Sequence, residues 1–315
     1  MLDLPDVTLI AVETQEHELA RITLNDCVSK ANFGEVIVYS DHPEKIEVPG
    51  ARTIAVPNWP DKFQQGEFYY SIAAQEAKTS HVLMIEWDAG IRDVSAWRDE
   101  FLSYDYIGAP WVWAKTNIRE HSVGNGGFAL MSKKLADAVY AKLPAWHIAT
   151  DMHLSRDHRT DFERLIGAKW APEEVGFQFA YEHGYEPRQA SATTFGYHDI
   201  FNWPLTMDES EVLRRVRLVM ASDYIPYKTP KLSLLAREYP WVRDAIGTVA
   251  YLDAEKKYRR QRPVYAAGQP GHHIGLPHHR IPPVSPSAPR PGSPRHLALA
   301  KVQRDIDLQK KGLKA

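Results

Sequence analysis

The sequence predicts an α/β domain built on a mainly parallel, doubly wound, Rossmann-like sheet. Three apolar runs rich in β-branched residues, at residues 7–12, 35–40 and 81–85, are typical of strands buried on both faces. Helical patterns at residues 17–31 and 63–78 separate these runs. The alternation of strand and helix indicates parallel strands joined by crossover helices. A chain of 315 residues is ample for one large domain of this kind.

The remaining elements of this domain are shorter. They are a third strand at residues 52–56, a helix at 94–103, a strand at 128–131, and short strands and aromatic-rich loops at 170–203. Two further helices each follow a good N-cap residue, because Ser132 precedes residues 133–143 and Thr150 precedes residues 151–166.

The character of the chain changes after residue 205, which we take as the end of the α/β domain. Residues 206–262 carry helical patterns and are predicted to form a helical extension. Prolines recur with Ser, Gly and His at residues 263–295, so this segment is predicted to be an extended, flexible linker. Residues 296–315 form a short tail with a predicted helix.

Composition excludes several classes of protein. The formal net charge of −2 gives no electrostatic signature of nucleic-acid binding. The single cysteine, Cys27, excludes an intrachain disulfide and a multi-cysteine zinc site. The sequence shows neither a signal peptide nor an apolar run long enough to span a bilayer, so we expect a cytoplasmic protein.

Three common catalytic motifs are missing from the sequence. No Gly-x-Gly-x-x-Gly follows the first strand, which disfavours a dinucleotide dehydrogenase. The sequence also lacks a P-loop and a Gly-x-Ser-x-Gly nucleophile elbow, which disfavours a P-loop NTPase and an α/β-hydrolase.

An acidic triplet, Glu86-Trp87-Asp88, follows the apolar run at residues 81–85. Residues i and i+2 of a strand point to the same side, and ligands bind beyond the carboxyl ends of strands in an open parallel sheet. Two carboxylates there are suited to Mg²⁺ or Mn²⁺, and such an ion can bridge to a nucleotide diphosphate and stabilise it as a leaving group. Two solvated loop acids are an equally good interpretation of the triplet alone.

Three later features are candidates for the same site. The glycine-rich segment at residues 124–127 lets backbone amides approach sugar hydroxyls or phosphates, although a plain turn has the same pattern. Asp151, at a predicted helix start, is a candidate general base or a simple helix N-terminal acid. His198 is a candidate metal ligand or phosphate donor, or else a packed histidine.

The order of these segments matches a known pattern. It comprises Trp87-Asp88, Tyr-Asp-Tyr-Ile-Gly-Ala-Pro-Trp at residues 104–111, Gly-Asn-Gly-Gly-Phe at residues 124–128, and Phe-Gly-Tyr-His at residues 195–198. With these motifs the chain resembles an uncharacterised glycosyltransferase-like family over residues 7–203. The eight-residue match at 104–111 is highly specific.

The resemblance implies a GT-A-like fold and the transfer of a sugar from a nucleotide-sugar donor. It places Asp88 as the metal ligand of the acidic motif, assisted by Glu86 and His198. It places Asp151 at the position of the base in inverting enzymes. Two departures stand out: Thr150 replaces the first acid of the family's Glu-Asp step, and Glu86 stands where an aspartate is usual.

Further residues are assigned to donor or acceptor binding. Aromatic faces suit the apolar side of a pyranose, so Trp97, Trp111 and Trp113 are candidates for stacking on a sugar. Trp111 is favoured because it lies near the glycine-rich segment in sequence. The carboxyl ends of the first two strands are where a nucleoside binds in a doubly wound sheet. The predicted binding set is Thr14, Tyr39, Asp41, Trp87, Trp111, Gly124, Asn125, Gly126 and Gly127.

The sequence therefore predicts an inverting glycosyltransferase assisted by Mn²⁺ or Mg²⁺. Its expected partners are a nucleotide-sugar donor and a glycan or other hydroxyl acceptor. The basic run at residues 256–260 allows a weak peripheral contact with anionic lipid. Two alternatives stay open: a metal-dependent phosphoester hydrolase, and a catalytically inactive protein that binds nucleotide sugars or carbohydrate.

Overall fold

A computed structural model describes residues 1–59, 62–111, 121–142, 150–182, 193–222 and 228–247. The predicted linker, the tail, the basic run at residues 256–260 and Trp113 lie outside these ranges. The strands are β1 (Leu2–Glu13), β2 (Ala31–Ser40), β3 (Arg52–Ala55), β4 (His81–Ile85), β5 (Gly90–Ile91), β6 (Tyr106–Gly108), β7 (Phe128–Ser132), β8 (Ala180–Glu182) and β9 (Gly196–His198).

The described strands form a central sheet of six strands in the order β3-β2-β1-β4-β7-β6. Strands β1 to β4 are parallel to one another, whereas β7 runs antiparallel to both β4 and β6. The predicted mainly parallel α/β sheet is therefore confirmed. Strand β4 is central and buried throughout, so the turn after Ile85 opens at the middle of the sheet edge.

Helices cover both faces of this sheet and continue beyond residue 205. They are α1 (His17–Lys30), α2 (Lys62–Ser71), α3 (Lys133–Lys142), α4 (Thr150–Met152), α5 (Arg159–Ile166), α6 (Glu173–Phe179), α7 (Trp203–Thr206), α8 (Glu209–Ala221), α9 (Lys228–Glu238) and α10 (Pro240–Ile246). The predicted cap of α3 is confirmed, because Ser132 Oγ accepts a hydrogen bond from the backbone amide of Leu135 at 3.1 Å.

Two predicted helices are wrong in detail. The helix expected at residues 94–103 is replaced by two short 3-10 helices, Val94–Ala96 and Asp99–Ser103. The helix expected at residues 151–166 is interrupted, since a π-helical stretch, His153–Asp157, separates α4 from α5. Such stretches are frequent at functional sites, and this one begins two residues after Asp151. A helix, α6, also lies in the region predicted to hold only strands and loops.

A second, smaller sheet positions His198 beside the central sheet. Its order is β5-β9-β8, and β9 pairs with β5 through Gly90 opposite Tyr197. Because β5 follows the acidic triplet by only a few residues, this pairing brings His198, the last residue of β9, to the end of β4.

Hydrophobic cores lie on both sides of the sheet and under the C-terminal helices. Alternate residues of β1 enter opposite cores, with Ile10 on one side and Leu9 on the other. In the third core, Leu19 of α1 packs with residues of the C-terminal helices such as Val212 and Leu235. The described part of the predicted extension is thus docked on the α/β domain. The boundary at residue 205 stays a prediction.

Arg215 of α8 connects this extension to the acidic triplet. The side chain is 2% exposed, and its guanidinium lies over the Trp203 ring at 5.6 Å. Arg215 Nη1 donates to Thr23 Oγ1 at 2.9 Å, and that hydroxyl donates to the Trp87 carbonyl at 2.7 Å. A buried charge with such partners fixes the relative position of α1, α8 and the triplet.

None of the helices in the described ranges combines the length and the apolar character needed to cross a membrane.

Candidate functional site

The acidic triplet forms a turn at the carboxyl end of β4. The Glu86 amide donates to the Gly127 carbonyl at 2.9 Å, and the Ala89 amide donates to the Glu86 carbonyl at 3.1 Å. Glu86 and Asp88 face His198 across this turn. Ligand atoms of the three side chains all lie within 4.8 Å of one another. The structure thus brings together the three residues that the sequence assigned to a metal.

Geometry and burial distinguish the three side chains. His198 Nε2 lies 3.3 Å from Asp88 Oδ1 and 3.8 Å from Glu86 Oε2. The Asp88 side chain is 6% exposed, whereas that of Glu86 is 46% exposed. Within the described residues Asp88 Oδ1 is buried and accepts no hydrogen bond. A buried carboxylate oxygen that accepts no hydrogen bond among the described residues and lies beside a second carboxylate and an imidazole fits Mn²⁺ or Mg²⁺.

The electrostatics of the site already favour a cation. Burial alone would raise the pKa of Asp88, but the neighbouring His198 outweighs burial and lowers it. Burial would lower the pKa of His198, and the surrounding carboxylates, Asp88 foremost, raise it well above its usual value instead. The carboxylates therefore stabilise positive charge at this position.

Three charged residues at the site were missed by the sequence analysis. Glu182 Oε1 lies 3.7 Å from His198 Nδ1, and Lys231 Nζ lies 2.9 Å from Asp199 Oδ2 and 3.9 Å from Asp88 Oδ2. Asp199 directly follows His198 in the sequence, so its position beside a candidate ligand could have marked it as a site residue. Glu182 and Lys231 come from β8 and α9, and no local motif marks either of them.

The glycine-rich segment packs tightly against the site. A Cβ on Gly127 would lie 2.2 Å from His198 Nε2, and one on Gly126 would lie 3.0 Å from the Asp151 Cβ. A Cβ on Gly124 would lie 2.3 Å from the Trp111 ring. Asn125 is 3% exposed and its Oδ1 accepts from the Gly127 amide at 3.1 Å. These residues shape the site by close backbone approach, and their direct contact with a sugar stays a prediction.

Gly127→Ala is expected to displace His198. The buried imidazole has to move, since the added methyl would lie well inside van der Waals contact with its ring. We expect at least about a tenfold loss of Mn²⁺ affinity and a loss of about 1–3 kcal/mol in the free energy of unfolding. Calorimetric titration with Mn²⁺ and denaturant unfolding would measure the two effects.

A double-mutant cycle supplies the control for this prediction. In a His198→Ala background the methyl added at position 127 meets no ring, so the stability cost of Gly127→Ala should largely disappear. An equal cost in both backgrounds would show that the strain lies elsewhere in the turn.

Asp151 lies beside the glycine-rich segment. Its Oδ2 accepts from the Gly126 amide at 3.3 Å and its Oδ1 accepts from the Met152 amide at 2.8 Å. Burial, reinforced by the charges of Glu182 and Glu86, raises the pKa of Asp151 to about 7. A carboxyl group with such a pKa can exchange a proton near neutral pH, as a general base requires.

Two tryptophans of the predicted binding set have packing roles in the structure. Trp111 is 2% exposed and lies against Gly124, so the prediction that its ring offers a face to a sugar is wrong for this conformation. The Trp87 ring packs edge-on against Trp203, with centroids 6.2 Å apart. Trp87 thereby supports the triplet turn from the core side.

The predicted nucleoside residues divide into two groups. Tyr39 is corrected: it is 0% exposed, and its hydroxyl donates to the Ala73 carbonyl at 3.0 Å inside the core. Thr14 and Asp41 lie close together, because Asn58 Nδ2 donates to the Thr14 carbonyl at 3.2 Å and to Asp41 Oδ2 at 2.9 Å. Thr14 Oγ1 is buried and has no hydrogen-bond partner among the described residues.

Comparison with known proteins adds a family match but no activity. Residues 62–198 match the model of a family described as protein of unknown function (DUF5672). The match includes the acidic triplet, the glycine-rich segment and His198, and it ends before Lys231. No curated protein sequence matches the chain.

Solved structures resemble the fold at low identity. A glycosyltransferase involved in glycosylation of the major capsid of PBCV-1 is 10% identical, covers 61% of this chain and 91% of its own, and has a TM-score of 0.40. A mycobacterial protein is 11% identical, with coverage of 52% and 62% and a TM-score of 0.37. Glucosyl-3-phosphoglycerate synthase from Mycobacterium tuberculosis, in complex with Mn²⁺, UDP and phosphoglyceric acid, is 13% identical, with coverage of 52% and 66% and a TM-score of 0.38. This chain matches less than two thirds of each mycobacterial protein.

Proposed function

We propose that the chain is a divalent-metal-dependent glycosyltransferase of GT-A type, which moves a sugar from a nucleotide-sugar donor to an acceptor hydroxyl. One observation carries the proposal. Glu86, Asp88 and His198 converge at the carboxyl end of the central parallel strand, with the buried Asp88 Oδ1 left without a hydrogen bond among the described residues. That edge of a doubly wound sheet is where nucleotides bind.

The three converging side chains would hold Mn²⁺ or Mg²⁺. Asp88 is the principal ligand because it is buried and fixed, and Glu86 and His198 complete the set. A bound divalent ion would supply positive charge that stabilises the diphosphate leaving group. The His198 ring lies directly against Gly127, where a Cβ would clash with it.

The donor nucleoside is proposed to lie over the carboxyl ends of β1 and β2. Thr14 and Asp41 follow these strands, and β1 is the direct neighbour of β4 in the sheet. Thr14 has a buried hydroxyl without a partner among the described residues, and Asp41 has a carboxylate already held by His17 Nε2 at 2.7 Å. Hydroxyl and carboxylate groups suit the hydrogen-bond donors of a ribose or a base.

Asp151 is proposed as the general base that takes the proton of the acceptor hydroxyl, which makes the enzyme an inverting one. Asp151 lies close to the proposed metal ligands, Glu86, Asp88 and His198. Asp151 accepts a hydrogen bond from Gly126, and the next residue, Gly127, packs on His198. The glycine-rich segment thus contacts the proposed base, the His198 ring and, through the Gly127 carbonyl, the Glu86 backbone.

A nucleotide-sugar screen tests the proposal. The full chain would be titrated with UDP-, GDP-, ADP- and dTDP-sugars, with and without Mn²⁺, following thermal stability and release of the nucleoside diphosphate. We expect Mn²⁺-dependent stabilisation by at least one donor. Release of inorganic phosphate from phosphoesters without nucleotide-sugar turnover would favour the hydrolase alternative. Binding of a nucleotide sugar without turnover, whichever acceptor is added, would favour the catalytically inactive binding protein.

A further inference from the structure

Lys231 occupies a position that the α/β domain alone does not fill. Helix α9, in the C-terminal extension, places its Nζ 2.9 Å from Asp199 Oδ2 and 3.9 Å from Asp88 Oδ2. The Lys231 side chain is 27% exposed, while those of Asp88 and Asp199 are 6% and 13% exposed. The ammonium group therefore lies at the open side of a pair of buried carboxylates.

Asp199 is held in an unusual backbone conformation. Its φ is 83°, which makes it the one non-glycine residue with a positive φ in the described part of the chain. Such a conformation is costly for a residue with a Cβ and persists only where surrounding structure enforces it, commonly at functional sites. The strain turns the residue after His198 toward Lys231, and the two then form the shorter of the lysine's two ion pairs.

Charge around Asp88 is dominated by acids. Glu86, Glu182 and Asp199 surround it, and the cations that form ion pairs with Asp88 among the described residues are His198 and Lys231. If His198 serves as a metal ligand, Lys231 is the remaining cation paired with Asp88 among the described residues. A lysine ammonium is a compact point charge on a flexible stem and a common phosphate ligand.

We propose that Lys231 binds the diphosphate of the donor and that Asp199 positions it, so that the C-terminal extension completes the active site. The inference rests on the proposed function. Asp199 Oδ2, 2.9 Å from Lys231 Nζ, keeps the ammonium group beside Asp88. The longer contact, 3.9 Å from Nζ to Asp88 Oδ2, is the one that phosphate oxygens would replace. The family match ends at residue 198, so it assigns no role to Lys231.

A purely structural role makes a different prediction. If Lys231 only docks α9 on the domain, its removal lowers thermal stability and weakens all nucleotides alike. If it binds the diphosphate, its removal weakens nucleoside diphosphates much more than the corresponding monophosphates, because only the former present the second phosphate.

The experiment compares full-length wild type, Lys231→Met and Lys231→Arg by calorimetric titration in the presence of Mn²⁺. The ligands are UDP, GDP, ADP and dTDP and the four corresponding monophosphates. For the diphosphate that binds wild type, Lys231→Met should weaken binding about tenfold or more, as expected for a lost hydrogen bond between charged groups. The monophosphate should change by less than about threefold, and Lys231→Arg should restore most of the loss. Arg237→Met removes an equal charge from an exposed position of the same helix and should change neither.

The outcomes separate this inference from the proposed function. Wild-type binding of a diphosphate with Mn²⁺ and equal binding by Lys231→Met would overturn the role of Lys231 and leave the function standing. If Lys231→Met weakens the binding of monophosphate and diphosphate equally and lowers the melting temperature, the role in diphosphate binding is overturned. Lys231 would then only dock α9 on the domain. Absence of any wild-type diphosphate binding would overturn both. Lys231→Gln, which keeps a donor for Asp199, replaces Lys231→Met if that variant does not fold.

Discussion

Asp88→Asn is expected to reduce the Mn²⁺-dependent affinity for nucleoside diphosphates by at least about 100-fold and to bring sugar transfer to background. The substitution keeps the shape of the side chain and removes the negative charge. Changes in groups that merely orient a metal ligand cost about 10–100-fold, and Asp88 is the proposed ligand itself. Its Oδ1, buried and without a hydrogen bond among the described residues, is the atom that an amide replaces least well.

Calorimetric titration of Mn²⁺ in the presence and absence of UDP or GDP measures this effect. Glu86→Gln should give a smaller loss, because the Glu86 side chain is 46% exposed and adapts to the change. Asp137→Asn is the matched control, since its carboxylate is 56% exposed on α3 and paired with Lys133. Undiminished metal-dependent binding by Asp88→Asn would remove the central support of the proposed function.

The sequence predicted the sheet well because its strands are strongly apolar. Strand β4 has the bounds expected from the apolar run, and β1 and β2 contain the runs assigned to them. Helix ends were harder to predict, because the π-helical stretch His153–Asp157 depends on packing that no local pattern records. Helical periodicity alone therefore merged α4 and α5 into one helix.

The convergence of Glu86, Asp88 and His198 was predictable from the sequence, and the residues around them were only partly so. Glu86 and Asp88 are adjacent in sequence, and the order of motifs placed His198 with them. Tyr39 was misassigned because residues 36–40 of β2 are all buried, so position near a strand end does not say which face a side chain takes. Lys231 was missed because its position beside Asp88 and Asp199 depends on how α9 docks, which no local pattern records.

Asp151→Asn is expected to abolish transfer while keeping the binding of donor and metal. Loss of a general base typically costs about 10²–10⁴-fold in turnover. Asp151 belongs to neither the proposed metal ligands nor the proposed nucleoside residues, so the affinity for a nucleoside diphosphate with Mn²⁺ should stay within about threefold of wild type. For wild type, kcat/KM should rise with pH and level off above about 7, the pKa of this carboxyl.

The same substitution should stabilise the protein in a pH-dependent way, which tests the environment of Asp151 without any substrate. The pKa is raised from 3.8 to about 7 in the folded state, so the folded chain holds the proton more tightly than the unfolded chain. Stability from this group is therefore complete below about pH 4 and is lost as pH rises to about 7. Asparagine carries no such penalty.

Asp151→Asn should consequently be more stabilising at pH 8 than at pH 5, by about 2 kcal/mol once the partial exposure of the side chain is taken into account. Denaturant unfolding at the two pH values measures the difference. Asp137→Asn serves as the control and should show little change between them, because its carboxylate is 56% exposed on α3 and its partner is a lysine, Lys133, rather than a histidine. A pH-independent effect of Asp151→Asn would mean that the carboxyl is ordinarily ionised in the fold. Asp151 would then lack the raised pKa on which its role as a base near neutral pH depends.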